Sequence, residues 1–450
     1  VVNSRPGKRF TNQAQRQPSE CCTFGPMEQP SETAAAMREM LESQWPMVTL
    51  LTGPAGSGKS TLIQELREKV YPNMLISAPT GIAALNIRGQ TLHSLFRLPL
   101  GPLIPGDSRL MKLRFRSAQL RLFRKAELLV IDEISMVRAD TLDAVDQVLR
   151  FALQSEEPFG GKRLLLSGDP FQLPPVVTQS EAPLLRQYYE APYFFKSHVM
   201  EAEGFTPFRL TKIYRQHDRH FIRLLESVKR GQIEEDEWET LNKRVAPYTD
   251  SDMGMILCTM RAQAEHINRQ QLERLPGRER VYTGLLRNQF REELVPVEPV
   301  LQLREQAQVM LVRNDPDKRW MNGSLARVEA LEPDHVKIRM EDGQIHRVEP
   351  AEWENIEYSW DEEKQQIKEQ VIGSYRQYPL KPAWAITIHK SQGLTFDRVH
   401  VDLGKQVFAP GQLYVALSRC TSLEGLTMER ALKPRDFVID PGLVEFADRL

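Results

Sequence analysis

The chain has 450 residues, of which 41% are hydrophobic and 26% are charged, so it has room for two or three domains with separate cores. Its formal net charge of −1 excludes an overall positive field, and any polyanionic partner must therefore be held by local basic clusters. The sequence has no apolar stretch of membrane-spanning length and no charged-then-apolar leader. We therefore expect a soluble intracellular protein without a membrane partner.

The first 27 residues are polar and predict a basic flexible tail, with Arg5, Lys8, Arg9 and Arg16 against the single acid Glu20. No pair of the four cysteines has metal-ligand spacing, which is typical of a reducing compartment. We expect the cytoplasm if the source is a bacterium, and the nucleus or mitochondrion if it is a eukaryote.

From residue 28 to residue 203, short apolar runs alternate with helical stretches. The runs are dense enough to be buried on both faces, which predicts a parallel sheet with helices on each side. This first α/β domain contains the runs "VTLLT", "NMLISA", "ELLVID" and "RLLLSG".

A second series of buried runs predicts another parallel-sheet domain, from residues 204–304 and 376–440. Its runs are "MILCT", "AWAITI" and "RVHVDL". Between the two parts, "VKIRM" alternates apolar and basic residues and has turn residues on either side, which is typical of antiparallel strands. We therefore predict a small antiparallel barrel inserted over residues 305–375.

The stretch "GPAGSGKS" follows the first buried run and predicts a phosphate-binding loop. Its backbone amides can reach phosphate groups, Lys59 can contact the β- and γ-oxygens, and Ser60 can ligate magnesium. A plain glycine-rich turn is the alternative, which the preceding strand disfavours. The residues expected to bind nucleotide here are Gly53, Pro54, Ala55, Gly56, Ser57, Gly58, Lys59, Ser60 and Thr61.

Two carboxylates follow the buried run in "LLVIDEIS". Asp132 can hold magnesium, and Glu133 can orient or deprotonate the attacking water. Burying acidic side chains at the end of a strand would cost free energy unless they had partners such as a metal ion or a water molecule. Together with the phosphate-binding loop, they predict a nucleoside-triphosphate hydrolase.

Three further polar residues are candidates for sensing the γ-phosphate. Gln172 follows a buried run in "LLLSGDPFQLPPV", although a proline-stiffened loop is the alternative there. Arg215 in "LTKIYRQ" and Arg419 in "YVALSRC" can be surface residues, or fingers that reach across a cleft to the transition state. If they are fingers, hydrolysis requires both domains to close on one nucleotide.

Several stretches predict contacts with nucleic acid. Residues 108–125 carry Arg109, Lys112, Arg114, Arg116, Arg121, Arg124 and Lys125 without an acid, a pattern that a polyanion explains. In "SAPTGIAALNIRGQTLHSLF" and "AITIHKSQGLTFD", polar residues follow strands. The candidate DNA-binding residues are Pro79, Thr80, Gly81, His93, Ser94, Phe96, Thr259, Thr387, His389, Lys390 and Ser391.

Some of these candidates have alternatives. His93 alone is more often a structural histidine, while Gln392 and Gly393 lie on the side that faces nucleotide. Aromatic rings can stack on bases. The candidates for stacking are Phe96, Trp320 and Trp384, each of which can instead belong to a core.

The ordered set of motifs resembles the Pif-type DNA helicases, superfamily-one enzymes that move 5′ to 3′ and are related to RecD-type helicases. The motifs are "GPAGSGKS", "APTGIAALNIRGQTLHSLF", "VIDEISMV", "SGDPFQLPPV", "LTKIYRQ", "AITIHKSQGLTFD" and "YVALSRC". The resemblance implies two RecA-like domains with ATP and Mg²⁺ in the cleft and single-stranded DNA across the top. It also implies a wedge insertion near 97–125 and an SH3-like subdomain over 305–375.

The resemblance also implies which residues bind or hydrolyse ATP. They are Lys59, Ser60, Asp132, Glu133, Gln172, Arg215, Gln392, Gly393 and Arg419. The family also has an adenine-reading glutamine near the first helix. Here Gln29 is in an "EQ" pair that lies too far upstream, and Thr33 is nearer the expected place. The implied partners are single strands and single/double-strand junctions, and RNA–DNA hybrids and four-stranded guanine structures stay open.

We expect a monomeric motor, but three other functions stay open. One is a RecD-like motor subunit of a larger repair complex, and another is an ATP-gated module that remodels nucleic acid without processive unwinding. The third is a motor directed at RNA, because side chains that contact phosphates need not sense the 2′-OH.

Overall fold

The computed structural model describes residues 30–43, 47–216, 218–249, 253–290 and 294–450. The predicted basic tail and Gln29 lie outside these residues. The described residues form two parallel-sheet domains with an antiparallel insertion, so the predicted α/β class is confirmed. Within the described residues, no helix combines the length and apolarity that crossing a bilayer requires.

The N-terminal domain is built on a six-stranded sheet in which every pair of neighbours is parallel, in the order β3-β2-β4-β5-β1-β6. The four runs predicted as buried strands form β1, β2, β4 and β5, and every residue in these strands is buried. The strands are β1 (Val48–Thr52), β2 (Met74–Ala78), β3 (Gln90–Thr91), β4 (Leu128–Ile131), β5 (Leu164–Gly168) and β6 (Thr206–Arg209).

Nine helices within the described residues surround this sheet. They are α1 (Pro30–Ser43), α2 (Lys59–Lys69), α3 (Gly81–Asn86), α4 (Leu92–Phe96), α5 (Ser108–Met111), α6 (Ser117–Lys125), α7 (Ala139–Leu153), α8 (Ala182–Leu185) and α9 (His198–Glu203). Because parallel strands end at one edge of a sheet, the loops after β1, β2, β4, β5 and β6 meet there.

The C-terminal domain has a four-stranded parallel sheet in the order β18-β7-β19-β20. Its strands are β7 (Met255–Cys258), β18 (Ala385–Thr387), β19 (Val399–Asp402) and β20 (Leu426–Met428). Its helices are α10 (Arg219–Arg230), α11 (Glu235–Asn242), α12 (Arg261–Arg274), α13 (Gln412–Leu417) and α14 (Pro441–Asp448).

The insertion is antiparallel, as its alternating pattern predicts. One sheet has the order β14-β13-β12-β11-β17, and smaller sheets join β15-β16-β9 and β10-β8. Its SH3-like character stays a prediction. Its strands are β8 (Arg280–Thr283), β9 (Leu285–Asn288), β10 (Val300–Leu303), β11 (Gln308–Leu311), β12 (Leu325–Leu331), β13 (Val336–Met340), β14 (Ile345–Val348), β15 (Ala351–Asp361), β16 (Gln366–Gln377) and β17 (Leu380–Pro382).

Two predicted domain boundaries are wrong. The second domain does not begin at residue 204, because β6 pairs with β1 in the N-terminal sheet. The antiparallel insertion is wider than 305–375, since its strands begin with β8 and end with β17. In both places the strands are short and partly exposed, so the apolar pattern marks them weakly.

The long β15–β16 hairpin packs on the N-terminal domain. The Gln90 amide donates to the carbonyl of Ile356 at 2.8 Å, and the Tyr358 hydroxyl donates to the carbonyl of Arg88 at 3.0 Å. Arg121 of the basic stretch forms an ion pair with Glu362 of the hairpin. Part of the charge predicted to face a polyanion is therefore neutralised within the chain.

Helix α14 returns from the C-terminal domain to the N-terminal core. Phe446 is 6% exposed and stacks on Phe195 with ring centres 3.9 Å apart. On the same helix, Ala447 packs in the core of the C-terminal domain. One short helix thus joins the two cores.

Replacing Phe446 with alanine is expected to destabilise the N-terminal domain by about 3–5 kcal/mol, because a buried aromatic ring leaves a cavity. Scanning calorimetry should show a lower unfolding midpoint. Glu445→Ala on the exposed face of the same helix is the control, since surface substitutions change stability little. Equal midpoints for the two variants would contradict the packing role of Phe446.

Candidate functional site

A cavity of about 970 Å³ lies between the two sheet domains. The phosphate-binding loop lines one side, and the loops that carry Arg419 and Gly393 line the other. Residues of the inserted sheet, including Met321 and Asp342, form a third part of its rim. The sequence motifs that are hundreds of residues apart therefore meet in one place.

The phosphate-binding loop joins β1 to α2. Gly58, just before the helix, has a φ of 88°, a left-handed conformation that glycine adopts without strain. Lys59 Nζ donates to the carbonyls of Gly53 at 2.7 Å and Pro54 at 3.1 Å. Burial lowers the pKa of the Lys59 ammonium, and the nearby Asp169 and Glu133 oppose that shift. The lysine is thus held within its own loop, close to where phosphate would lie.

Ser60 and Asp132 lie together at the ends of neighbouring elements. The Ser60 hydroxyl donates to Asp132 Oδ2 at 3.3 Å. Asp132 is 5% exposed, and its burial raises the pKa of the carboxyl group. A hydroxyl and a carboxylate in this arrangement are hard oxygen ligands of the kind that Mg²⁺ prefers, so the pair fits the predicted metal site.

Glu133 follows Asp132 and has a left-handed backbone conformation with a φ of 52°, which is uncommon for a residue other than glycine. Burial, followed by the neighbouring Asp132, raises the pKa of Glu133 to about 7. The amide of Gln392 donates to Glu133 Oε2 at 2.9 Å and to Gln172 Oε1 at 3.0 Å. A carboxyl group with this pKa is suited to general-base catalysis near neutral pH.

Arg215 lies on the segment after β6 and packs against the phosphate-binding loop. A Cβ atom at Gly56 would lie only 2.4 Å from Arg215 Cβ, so this approach requires glycine. The Arg215 guanidinium reaches across the cleft and donates to the carbonyls of Ser418 at 3.3 Å and Gly393 at 3.4 Å. Burial lowers its pKa to about 10, and it remains charged at neutral pH.

Arg419 is 1% exposed and lies at the end of α13. Its guanidinium donates to the carbonyls of Val415 at 2.9 Å, Leu394 at 3.3 Å and Ser391 at 3.4 Å. Burial, followed by the like charge of Arg215, lowers the pKa of Arg419 to about 9. Two cations that oppose each other in a buried cleft favour the binding of a polyanion between them.

Two tyrosines at or next to the cavity were not expected from the sequence. The ring of Tyr214 is 46% exposed beside Gly58, where it offers a flat face to a base. The hydroxyl of Tyr414 donates to Asp169 Oδ2 at 2.9 Å and accepts from the amide of Ala55 at 3.3 Å. A signal for Tyr214 was available, because it directly precedes Arg215 in "LTKIYRQ".

Thr33 of α1 lines the same cavity. This is the residue that stands nearest the position expected for an adenine-reading side chain. The alternative, Gln29, lies outside the described residues, and its role stays a prediction.

The predicted DNA-binding residues lie after the sheet strands of both domains. Thr80 follows β2, and its hydroxyl accepts from the amide of Ala83 at 3.2 Å to cap α3. Thr387 ends β18, and its hydroxyl accepts from the amide of Lys390 at 3.2 Å. Pro79, Gly81, His93, Ser94 and His389 are half-buried, Lys390 is exposed, and Thr259 and Ser391 are buried.

The three aromatic rings predicted to stack on DNA bases are buried, which contradicts that prediction. Phe96, Trp320 and Trp384 are 1%, 7% and 1% exposed, and each packs in a hydrophobic core. The structure instead exposes Phe408, at 56%, with its ring nearly parallel to that of His389 and 6.5 Å away. Phe408 is a single aromatic in the turn "KQVFAPG", where no periodic pattern distinguishes it.

The chain matches the family model described as PIF1-like helicase over residues 28–239, and one described as Helicase over residues 354–435. It is 33% identical to the ATP-dependent DNA helicase Pif1 of Bdellovibrio bacteriovorus, covering 88% of this chain and 87% of that protein. The vertebrate proteins named PIF1 are longer, and the chain covers 57% of the zebrafish protein and 63% of the human one.

Two solved structures of Pif1 from a Bacteroides species are similar along most of the chain. The complex with ADP-AlF4 is 39% identical, with a TM-score of 0.87 over 93% of this chain and 96% of that one. The form bound to ssDNA is 38% identical, with a TM-score of 0.67 over 94% and 97% of the two chains. The chain therefore belongs to the PIF1-like helicase family and is an ATP-hydrolysing DNA helicase.

Proposed function

We propose that this helicase moves 5′ to 3′ along single-stranded DNA and separates duplex at junctions, by closing and opening its two sheet domains around ATP and Mg²⁺. The observation that carries the proposal is the position of Arg215 and Arg419. Both guanidinium groups border a cavity that neither domain completes alone. A nucleotide can therefore be fully held only when the two domains are together.

The hydrolytic step follows from the side chains around the cavity. Ser60 and Asp132 would hold Mg²⁺, which when bound neutralises charge on the phosphate oxygens. Lys59 exchanges its loop carbonyls for the β- and γ-phosphates, and Gln172 contacts the γ-phosphate or its water. Glu133 takes a proton from the attacking water. Hydrolysis would be slow in an open cleft, since arginine fingers contribute about 10³–10⁵ in rate where measured.

Motion is coupled to this step because Arg215, which packs against the phosphate-binding loop, also contacts the C-terminal domain. In the structure Arg215 donates to Ser418 and Gly393, both in the C-terminal domain. A γ-phosphate would compete for the same N–H groups, so binding and release of phosphate change how the domains are joined.

The strand would lie across the two domains, over the loops after β2 and β18. The half-buried Thr80 offers hydroxyl and backbone contacts to phosphates there, and Lys390 adds an exposed charge on the turn that the buried Thr387 hydroxyl holds. Alternate gripping by the two loops converts closure into one-way steps. The ssDNA-bound Bacteroides structure supports single strands as the partner. We infer a monomeric motor in an intracellular compartment.

A strand-displacement assay tests the proposal. Duplexes with 5′ tails should be unwound in the presence of ATP, and duplexes with 3′ tails should not. Lys59→Ala is the matched control, which should bind single strands but neither hydrolyse ATP nor unwind, because the phosphates lose their fixed cation. Unwinding of 3′-tailed substrates alone would overturn the direction, and ATP turnover by Lys59→Ala would overturn the assigned site.

The pH dependence of hydrolysis should report Glu133. A general base must be deprotonated, and the pKa of this carboxyl is raised to about 7. We therefore expect kcat/KM for ATP to rise as pH increases through about 7 and to fall roughly tenfold per unit below it. In Glu133→Gln, the remaining activity should no longer fall on the acidic side of the pH profile in this way. Any pH dependence that is left should come from protonation of the nucleotide itself. A wild-type profile that is flat from about pH 5.5 to about 8.5 would exclude this role.

Phe408 is expected to stack on a DNA base. Phe408→Ala should weaken single-strand binding by about 1–3 kcal/mol, the value of one lost stacking contact. Fluorescence anisotropy with a labelled oligonucleotide measures the change. Phe151→Ala is the control, because Phe151 is similarly exposed, at 53%, but lies on α7 and is not among the predicted DNA-binding residues. Equal affinities for the two variants would rule out the contact.

A further inference from the structure

The side chain of Tyr414 crosses the cleft between the two domains. It comes from α13 of the C-terminal domain and is 4% exposed. Its hydroxyl donates to Asp169 Oδ2 at 2.9 Å and accepts from the amide of Ala55 at 3.3 Å. Asp169 directly follows β5, and Ala55 belongs to the phosphate-binding loop after β1. One hydroxyl group of the C-terminal domain therefore binds two loops of the N-terminal domain.

Tyr414 is placed to act on the reaction through these loops. Ala55 is among the described residues that line the nucleotide cavity, and Tyr414 is not. Asp169 is 3% exposed, so its carboxylate depends on partners within the protein. Burial lowers the pKa of Lys59 and of Arg419, and the charge of Asp169 opposes both shifts. The hydroxyl thus fixes a carboxylate that acts on one cation of each domain.

Contacts that do not use the hydroxyl hold the ring of Tyr414. The Lys229 ammonium lies 5.9 Å from the centre of this ring and 5.0 Å from that of Phe171. Lys229 is itself 8% exposed and forms an ion pair with Glu226 at 2.6 Å. A cation over an aromatic face attracts the ring and not the hydroxyl. Removal of the hydroxyl alone should therefore leave the ring, and α13 with it, in place.

The two bonds of the hydroxyl depend on the closed cleft. If the domains separate, Tyr414 leaves both loops, and water can reach the Ala55 amide and the Asp169 carboxylate. In the closed cleft without the hydroxyl, both groups would be buried and would lose a hydrogen-bond partner. A buried donor or acceptor without its partner is costly. The hydroxyl therefore stabilises the closed arrangement of the loops more than the open one.

We propose that Tyr414 is a positioning residue for ATP hydrolysis. When the domains close, its hydroxyl fixes Asp169 and the phosphate-binding loop around the triphosphate. The inference rests on the proposed function, because it requires that the two domains close on ATP. Its consequence is that hydrolysis depends on the hydroxyl, whereas binding of nucleotide to the open N-terminal domain does not.

Turnover at saturating ATP and single-stranded DNA tests the inference. In Tyr414→Phe, kcat should fall on the order of tenfold, the effect of losing one hydrogen bond to a charged group. ADP affinity, measured by calorimetry, should stay as in the wild type, because a contact made only in the closed state changes kcat and not ground-state binding. Tyr375→Phe is the matched control. Tyr375 is fully buried in the insertion, where its hydroxyl donates to the carbonyl of Val297 at 2.8 Å, and its variant should keep kcat.

A double-mutant cycle identifies the route. Asp169→Asn keeps the shape of the side chain and removes the charge that the hydroxyl fixes, so adding Tyr414→Phe to it should slow turnover little further. Wild-type kcat in Tyr414→Phe, an equal fall in Tyr375→Phe, or losses that multiply in the double variant would overturn the inference. Arg419→Ala is measured first, because undiminished turnover in that variant would count against the proposed closing of the domains and not against Tyr414.

Discussion

The structure depends on two guanidinium groups in one buried cleft. Arg215 and Arg419 lie close enough for the charge of Arg215 to lower the pKa of Arg419, and each guanidinium donates to backbone carbonyls of the C-terminal domain. Buried cations that face each other are unfavourable unless a polyanion joins them. The triphosphate supplies that charge. In the proposed mechanism, binding of nucleotide and approach of the two domains are therefore one event, governed by the same electrostatic requirement.

The fold places these groups by ordinary rules of parallel sheets. Every strand of the N-terminal sheet ends at one edge, which brings the phosphate-binding loop, Asp132, Gln172 and Arg215 to one side of the cleft. The C-terminal side of the cleft is placed by a close approach between two backbone segments. At Gly411, before α13, a Cβ atom would lie 2.3 Å from the carbonyl oxygen of Phe171, so the helix that precedes Arg419 rests directly on the loop after β5.

Sequence patterns predict the parts of this site that depend on local chemistry. A buried run followed by glycines and Lys59 needs no knowledge of distant residues, and the predicted strands were correct for that reason. Burial of single side chains depends on tertiary packing. Phe96 follows polar residues that resemble a binding surface, yet it stacks on Phe123 with ring centres 5.8 Å apart in the core. Phe408, in an irregular turn, is exposed, and the return of Phe446 to the first domain has no local pattern.

The low net charge is consistent with a motor that must release its strand in every cycle. Part of the basic stretch is paired internally, as Arg121 is with Glu362. On the proposed strand path, Thr80 is half-buried and Lys390 is an exposed cation, while the buried Thr387 hydroxyl accepts from the Lys390 amide. Each neutralised phosphate adds about −0.7 to the salt slope of single-strand binding, so few fixed charges imply a modest dependence on salt. A surface that held many phosphates tightly would resist stepping, whereas neutral contacts can be exchanged one nucleotide at a time.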